Sequence, residues 1–193
     1  MGHHKVWSRR GFIAGGAMLA LAACNNGLAT NATTTLEGRV NATLNELFTA
    51  YPNARPIVEN ARGVLVMPVM TQAALGVGGS YGEGALRVDG KTVDYYSAAQ
   101  ATLGLQAGAR QFAHVLVFQT DRALENFRNA PGWVAGAGAY YALPKEGVSF
   151  GTDSVTRNHP VVAMIFGETG VMAGAAIEGT KYTRIIPSAI ATR

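Results

Sequence analysis

Apolar positions along the chain fall into three textures. From Phe12 to Ala23 they form one uncharged run, preceded by Lys5, Arg9 and Arg10. About a dozen residues are too few for a membrane-spanning helix, which needs roughly 20. Charge, apolar core and small residues in that order predict an export leader. The second texture is helical. Leu36, Val40, Leu44, Leu47, Phe48 and Tyr51 lie within an arc of roughly 120° at 3.6 residues per turn. Thr34-Thr35-Leu36-Glu37 has the form of a capping box. Pro52 stops the helix, and a second short one is expected over Asn53 to Ala61, with Pro56 in its first turn.

From Gly63 the pattern shortens. Gly63 to Pro68 is an apolar run bounded by breakers and predicts a buried strand. Asp89-Gly90, between Ala85–Val88 and Thr92–Ser97, predicts a hairpin turn. Leu103, Leu105 and Ala107 alternate with Gly104, Gln106 and Gly108. The stretch His114 to Gln119 is nearly all apolar, as in a strand covered on both faces. Thr120-Asp121 caps a short helix to about Asn129, with Leu124 and Phe127 facing inward. Trp133–Leu143, Val161–Phe166, Val171–Ile177 and Tyr182–Ile186 are further strand candidates. Most gaps are too short for βαβ crossovers, so the sheet is expected to be mainly antiparallel. The 24 glycines exceed the about 13 or 14 of an average chain this long. Glycine within strands marks bulges and close backbone approach, which favours a strongly bent sheet or a barrel. The expected fold class is α+β and β-dominated, with N-terminal amphipathic helices and one short mid-chain helix.

Charge and cysteine content refine the leader. Leu21-Ala22-Ala23-Cys24 resembles a lipobox, in which the cysteine thiol is acylated and the chain is cut before it. Ser8-Arg9-Arg10-Gly11-Phe12-Ile13 resembles a twin-arginine export signal. Cys24 is the chain's single cysteine, so no disulfide competes for it. Three of the 16 basic residues precede Cys24, leaving 13 against 12 acidic ones, a net of +1. The alkaline precursor is therefore no sign of nucleic-acid binding. The expected organisation is a signal peptide over 1–23, a tether over 24–33 and one domain over 34–193. Asn25, in place of the aspartate that favours the inner membrane, resembles the outer-membrane sorting pattern. The expected location is the cell envelope, lipid-anchored at the outer membrane and facing the periplasm.

Catalytic patterns are weak. Gly78-Gly79-Ser80-Tyr81-Gly82 satisfies the G-x-S-x-G pattern, and Asp153 and His159 follow in hydrolase order. A nucleophile elbow needs a helix after the serine, whereas a hairpin is expected here. Gly90-Lys91-Thr92 ends like a phosphate loop, yet Ala85 stands where that motif needs glycine. After the leader only His114 and His159 remain as histidines, without paired carboxylates at ligand spacing. His114 reads as structural and His159 as a loop residue before Pro160. No cofactor and no enzymatic activity are expected.

Four blocks carry a resemblance: Gly76 to Gly84, Gly104 to Gly108, His114 to Phe127, and Gly170 to Gly179. In order and spacing, across about Ala54 to Ile186, they resemble the SYLF lipid-binding domain family. The resemblance implies a lipid-contacting domain, in some members also actin-binding, and not an enzyme. The eukaryotic domains have a lysine-rich amphipathic start; residues 34–62 here hold no lysine and three arginines. Common anionic phospholipid is then the expected partner in place of phosphoinositide. Arg39, Arg55 and Arg62, whose guanidinium groups match phosphate geometry, are the candidate headgroup contacts, with Leu44 and Phe48 as the apolar ones. Lys181 and Arg184 are further basic positions on the last strand. Two alternatives stand beside this reading: an interaction lipoprotein that binds a protein partner, and a small serine hydrolase using Ser80.

Overall fold

The structure is a computed structural model and describes residues 27–136, 139–142, 159–170 and 177–186. Two helices open it, α1 (Gly27–Ala50) and α2 (Ala54–Glu59). Then come the long strands β1 (Gly63–Val88) and β2 (Lys91–Phe118), helix α3 (Asp121–Asn129), and four shorter strands: β3 (Trp133–Val134), β4 (Ala139–Ala142), β5 (Val161–Gly170) and β6 (Lys181–Ile185). Helix α1 already runs at Gly27, so Thr34 lies inside it and the expected capping box does not form. The segment expected as a tether is helical from Gly27 onward. No helix among the described residues is long and apolar enough to cross a membrane.

Strands β1 and β2 form one antiparallel ribbon from Gly63↔Phe118 to Val88↔Lys91. The turn is the expected Asp89-Gly90, with φ of 51° and 74°, the left-handed pair that a tight hairpin turn requires. What the sequence pattern divides into separate strands is continuous, because Gly76 to Gly84 belongs to the ladder and is not a turn.

The other edge of β2 is shared between two partners. Tyr95 to Ala99 pair with β6, and Arg110 to Phe118 with β5. β3 extends the sheet beyond β6, and β4 extends it beyond β5. The β4–β5 pair is parallel, an exception within an otherwise antiparallel, strongly curled half-barrel.

Two glycines make the curl possible. A Cβ on Gly82 or Gly84 would collide with the Val69 or Val66 carbonyl oxygen, on the other arm of the same strand. Larger residues there would hold the arms apart and open the sheet.

Curling leaves two apolar layers. One lies inside the half-barrel and contains Leu65, Met70, Leu86, Phe112, Leu116, Phe118 and the rings around Phe127. The other lies beneath α1 and holds Leu36, Val40 and Leu47 against Val64, Val66, Val115, Val117, Val162 and Met164. The central strands are thus covered on both faces, which accounts for their unbroken apolar runs. Helix α3 closes the inner layer with Leu124 and Phe127, and Thr120 Oγ1 accepts from the Ala123 N–H at 3.2 Å as its cap.

Candidate functional site

The stripe on α1 is spent on packing. Leu36, Val40 and Leu47 are buried, and Leu44 and Phe48 are half-buried against the same cluster. At roughly 1.5–3 kcal/mol for each fully buried aliphatic side chain, this face holds the helix to the sheet. Glu37 pins the same helix from its polar side. Its carboxylate accepts from Arg87 at 2.9 Å and from the Tyr95 hydroxyl at 3.0 Å. Burial raises the Glu37 pKa, but the Thr92 hydroxyl, Arg87 and Tyr95 lower it further, so the net direction is down. Thr92 acts by proximity only, since its Oγ1 meets no partner in hydrogen-bond geometry. Tyr95 moves the other way, to about 12, through burial and then the Glu37 carboxylate.

A carboxyl whose folded pKa is depressed stabilises the fold above its unfolded pKa and stops doing so as pH falls through the folded one. Glu37→Gln should therefore cost about 1 kcal/mol at pH 7, discounted for partial exposure. It should cost nothing near pH 2. Urea melts at the two pH values test this, and equal losses at both would show that the charge is not involved.

The three arginines expected at a headgroup are exposed but differ in setting. Arg39 stands on the outer face of α1. Arg55 pairs with Glu59 at 3.3 Å and lies 4.4 Å over the Phe48 ring. Arg62 pairs with Asp121 at 3.6 Å. Arg184 lies 3.3 Å from Asp94, and Lys181 is exposed on β6. Cys24 and Asp153 lie outside the described residues.

Ser80 is buried in mid-strand, its hydroxyl donating to Gln100 Oε1 at 3.4 Å. Extended strand continues on both sides of it, so the sharp strand-to-helix turn that exposes a nucleophile is not formed. His114 is fully buried, with Nε2 2.8 Å from the Tyr182 hydroxyl. Burial pushes its pKa down to about 3, so the ring is neutral at ordinary pH.

Two features escape a reading by periodicity. The middle of the β1–β2 ribbon carries no charge, over residues 63–82 on one strand and 95–109 on the other. At its bend Leu75 and Val77 are 84% and 68% exposed, with Tyr81 and Val69 also open to solvent. The ladder is irregular there, passing from Leu75↔Ala107 to Val77↔Leu103. Close to the bend is the second feature, the buried pair Gln72 and Arg110, joined by hydrogen bonds of 3.0 and 2.7 Å. The available signal was that Arg110 is the one Asp, Glu, Lys or Arg between Asp94 and Asp121.

The curled sheet thus offers an uncharged apolar bend, while Ser80 sits buried in mid-strand. Residues 99–185 match the Ysc84 family model, described as the Las17-binding protein actin regulator. The matched stretch runs from the middle of β2 to the end of β6 and is similar to the Ysc84 (SYLF) domain. Comparison with curated proteins gives no match.

Proposed function

We propose that this chain is a non-catalytic membrane-binding domain, anchored through an acylated Cys24 in the bacterial envelope, that contacts anionic phospholipid. The observation that carries the reading is the charge-free bend with its exposed Leu75 and Val77. Large apolar side chains on a surface without charge favour the lipid boundary over water. Leu44 and Phe48 are half-covered by the sheet, so the bend supplies apolar contact at less cost to the fold. Arg39, and Arg55 and Arg62 in their weak exposed ion pairs, supply headgroup contact, because a phosphate competes easily with such pairs. An acyl chain and a second, weaker contact together give stable attachment where one alone does not. The outer membrane facing the periplasm is the location that Asn25 favours.

Acyl-free protein comprising residues 25–193 should co-sediment with vesicles containing phosphatidylglycerol. The double substitution Leu75→Ser with Val77→Ser should lower that binding at least ten-fold and leave thermal stability unchanged. Loss of binding from Leu44→Ser with Phe48→Ser, at unchanged stability, would move the contact back to α1. No binding by the unsubstituted protein would end the lipid reading and favour a protein-binding lipoprotein. The description of Ysc84 as Las17-binding supports that second reading.

A further inference from the structure

The inner faces of the two arms of the β1–β2 ribbon meet just behind the bend. A Cβ on Gly78 would collide with the Ala74 side chain, and one on Gly82 with the Met70 sulfur. Between those two contacts each arm contributes one inward-facing row, Gln72↔Arg110 on the first and Ser80↔Gln100 on the second, because alternate strand residues share a face. The four side chains form one polar layer across the curl, between the apolar inner core and the bend. Gln72, Ser80 and Arg110 are each 5% exposed.

Charge in this layer is unbalanced. Residues 63–82 and 95–109 hold no Asp, Glu, Lys or Arg, so Arg110 is the layer's one charged group. Gln72 Oε1 accepts from its Nε and Nη2 at 3.0 and 2.7 Å, while Nη1 is buried with no hydrogen-bond partner among the described residues. An amide oxygen carries no charge, and no described carboxylate pairs with the guanidinium. Taking a cation out of water is costly unless an opposite charge meets it, and an unsatisfied buried donor adds to that cost. The second arm offers a movable donor. Ser80 donates to Gln100 Oε1 at 3.4 Å, beyond the usual O–H···O range, and a hydroxyl rotates to suit a better acceptor. Gln100 is itself fixed from its other end, its Nε2 donating to the Glu178 carbonyl at 2.6 Å.

We infer that the polar layer binds one monovalent anion of chloride size, held by Arg110 Nη1 from the first arm and the Ser80 hydroxyl from the second. One guanidinium balances one charge, which disfavours sulfate and phosphate dianions. A single-atom ion fits among side chains this deeply buried, whereas a lipid headgroup would force the arms apart. The ion ties the two arms together behind the exposed apolar bend. This goes beyond the membrane reading and does not rest on it.

The test uses the full chain carrying Cys24→Ser, melted in sodium gluconate, chloride, bromide and sulfate at matched ionic strength. The readout is the difference in melting temperature between this chain and the same chain with Arg110→Met, since general salt effects act on both. An ion bound only by the folded state stabilises it, so the difference should shift in favour of the unsubstituted Arg110 by about 3 °C or more in chloride and bromide relative to gluconate. In sulfate it should equal the gluconate value. Should Arg110→Met fail to fold, Ser80→Ala replaces it as the reference, with a smaller shift of the same sign. Crystals grown in bromide should show an anomalous peak beside Arg110 Nη1.

A difference equal in all four salts would overturn the inference and leave the guanidinium to buried water. A shift as large in sulfate as in chloride would overturn it too, as would bromide crystals without a peak at Arg110. No vesicle enters these measurements, so each result leaves the lipid reading untouched.

Discussion

Phe127→Ala will destabilise the domain by about 3–5 kcal/mol, the range for truncating a buried aromatic residue. The ring is fully buried at the centre of an aromatic cluster. Its centre lies 4.7 Å from those of Tyr96 and Phe118, 5.5 Å from Trp133 and 6.2 Å from Tyr182. Those four rings come from both arms of β2, from β3 and from β6, so one cavity loosens the sheet at several points at once. Helix α3 has nine residues, too few to hold its shape in water without packing. Leu124 and Phe127 are its two buried residues, and losing one leaves the cap at Thr120 with little to hold. Guanidinium melts should show a lower midpoint with an unchanged slope. The exposed neighbour Glu125→Ala, in the same helix, should change the unfolding free energy by less than about 0.5 kcal/mol. If the two variants melt alike, the aromatic cluster is not what fixes α3.

Much of this architecture follows from local signals in the sequence, and the failures have physical causes. Asp89-Gly90 was legible because a two-residue turn with both φ angles positive admits few residue types. Thr120 was legible because a hydroxyl one residue before a helical period has one obvious use. The continuity of β1 was not legible. Glycines at 76, 78, 79, 82 and 84 look like punctuation in a one-dimensional pattern, but in the curled sheet Gly82 and Gly84 are where one arm of the strand passes over the other. Glu37 was misread for a related reason. Its spacing from Thr34 fits a cap, yet the partners that decide its role, Arg87 and Tyr95, lie on the hairpin far along the chain. The apolar stripe of α1 was correctly found, but periodicity alone says only that one face is apolar. Whether sheet or membrane covers that face depends on Val64, Val115 and Val162 being there to meet it. Arg110 was hidden by the opposite error, since a lone arginine in a strand is ordinarily solvated. Only the fold shows that this one is buried and bonded to a neutral amide.

Acid will weaken the fold through His114 before it reaches the carboxylates. The ring is completely buried between Phe112 and Tyr182, with Arg110 four residues away on the same strand and no acidic group among its described contacts. Burial holds its folded pKa at about 3, against about 6.5 in an unfolded chain. Between these values the unfolded chain takes up a proton that the folded chain refuses. Stability is therefore full above about pH 6.5 and falls as pH drops toward 3, at about 1.4 kcal/mol per pH unit. From pH 6.5 to pH 5 the expected loss is about 2 kcal/mol. Glu37 does not interfere in that window, because its pKa is lowered and its contribution fails only below the ordinary carboxylate range. His114→Gln keeps a polar partner for the Tyr182 hydroxyl and cannot titrate. It should be less stable than the unsubstituted domain at pH 7, by about 1–3 kcal/mol, yet show almost no slope from pH 6.5 to 5. Urea melts at half-unit intervals through this window separate the two proteins. A flat profile for the unsubstituted domain would mean that His114 can be protonated inside the fold. In that case His114 and Arg110, on either side of Phe112 on the same strand, would both be charged in the folded domain at acid pH.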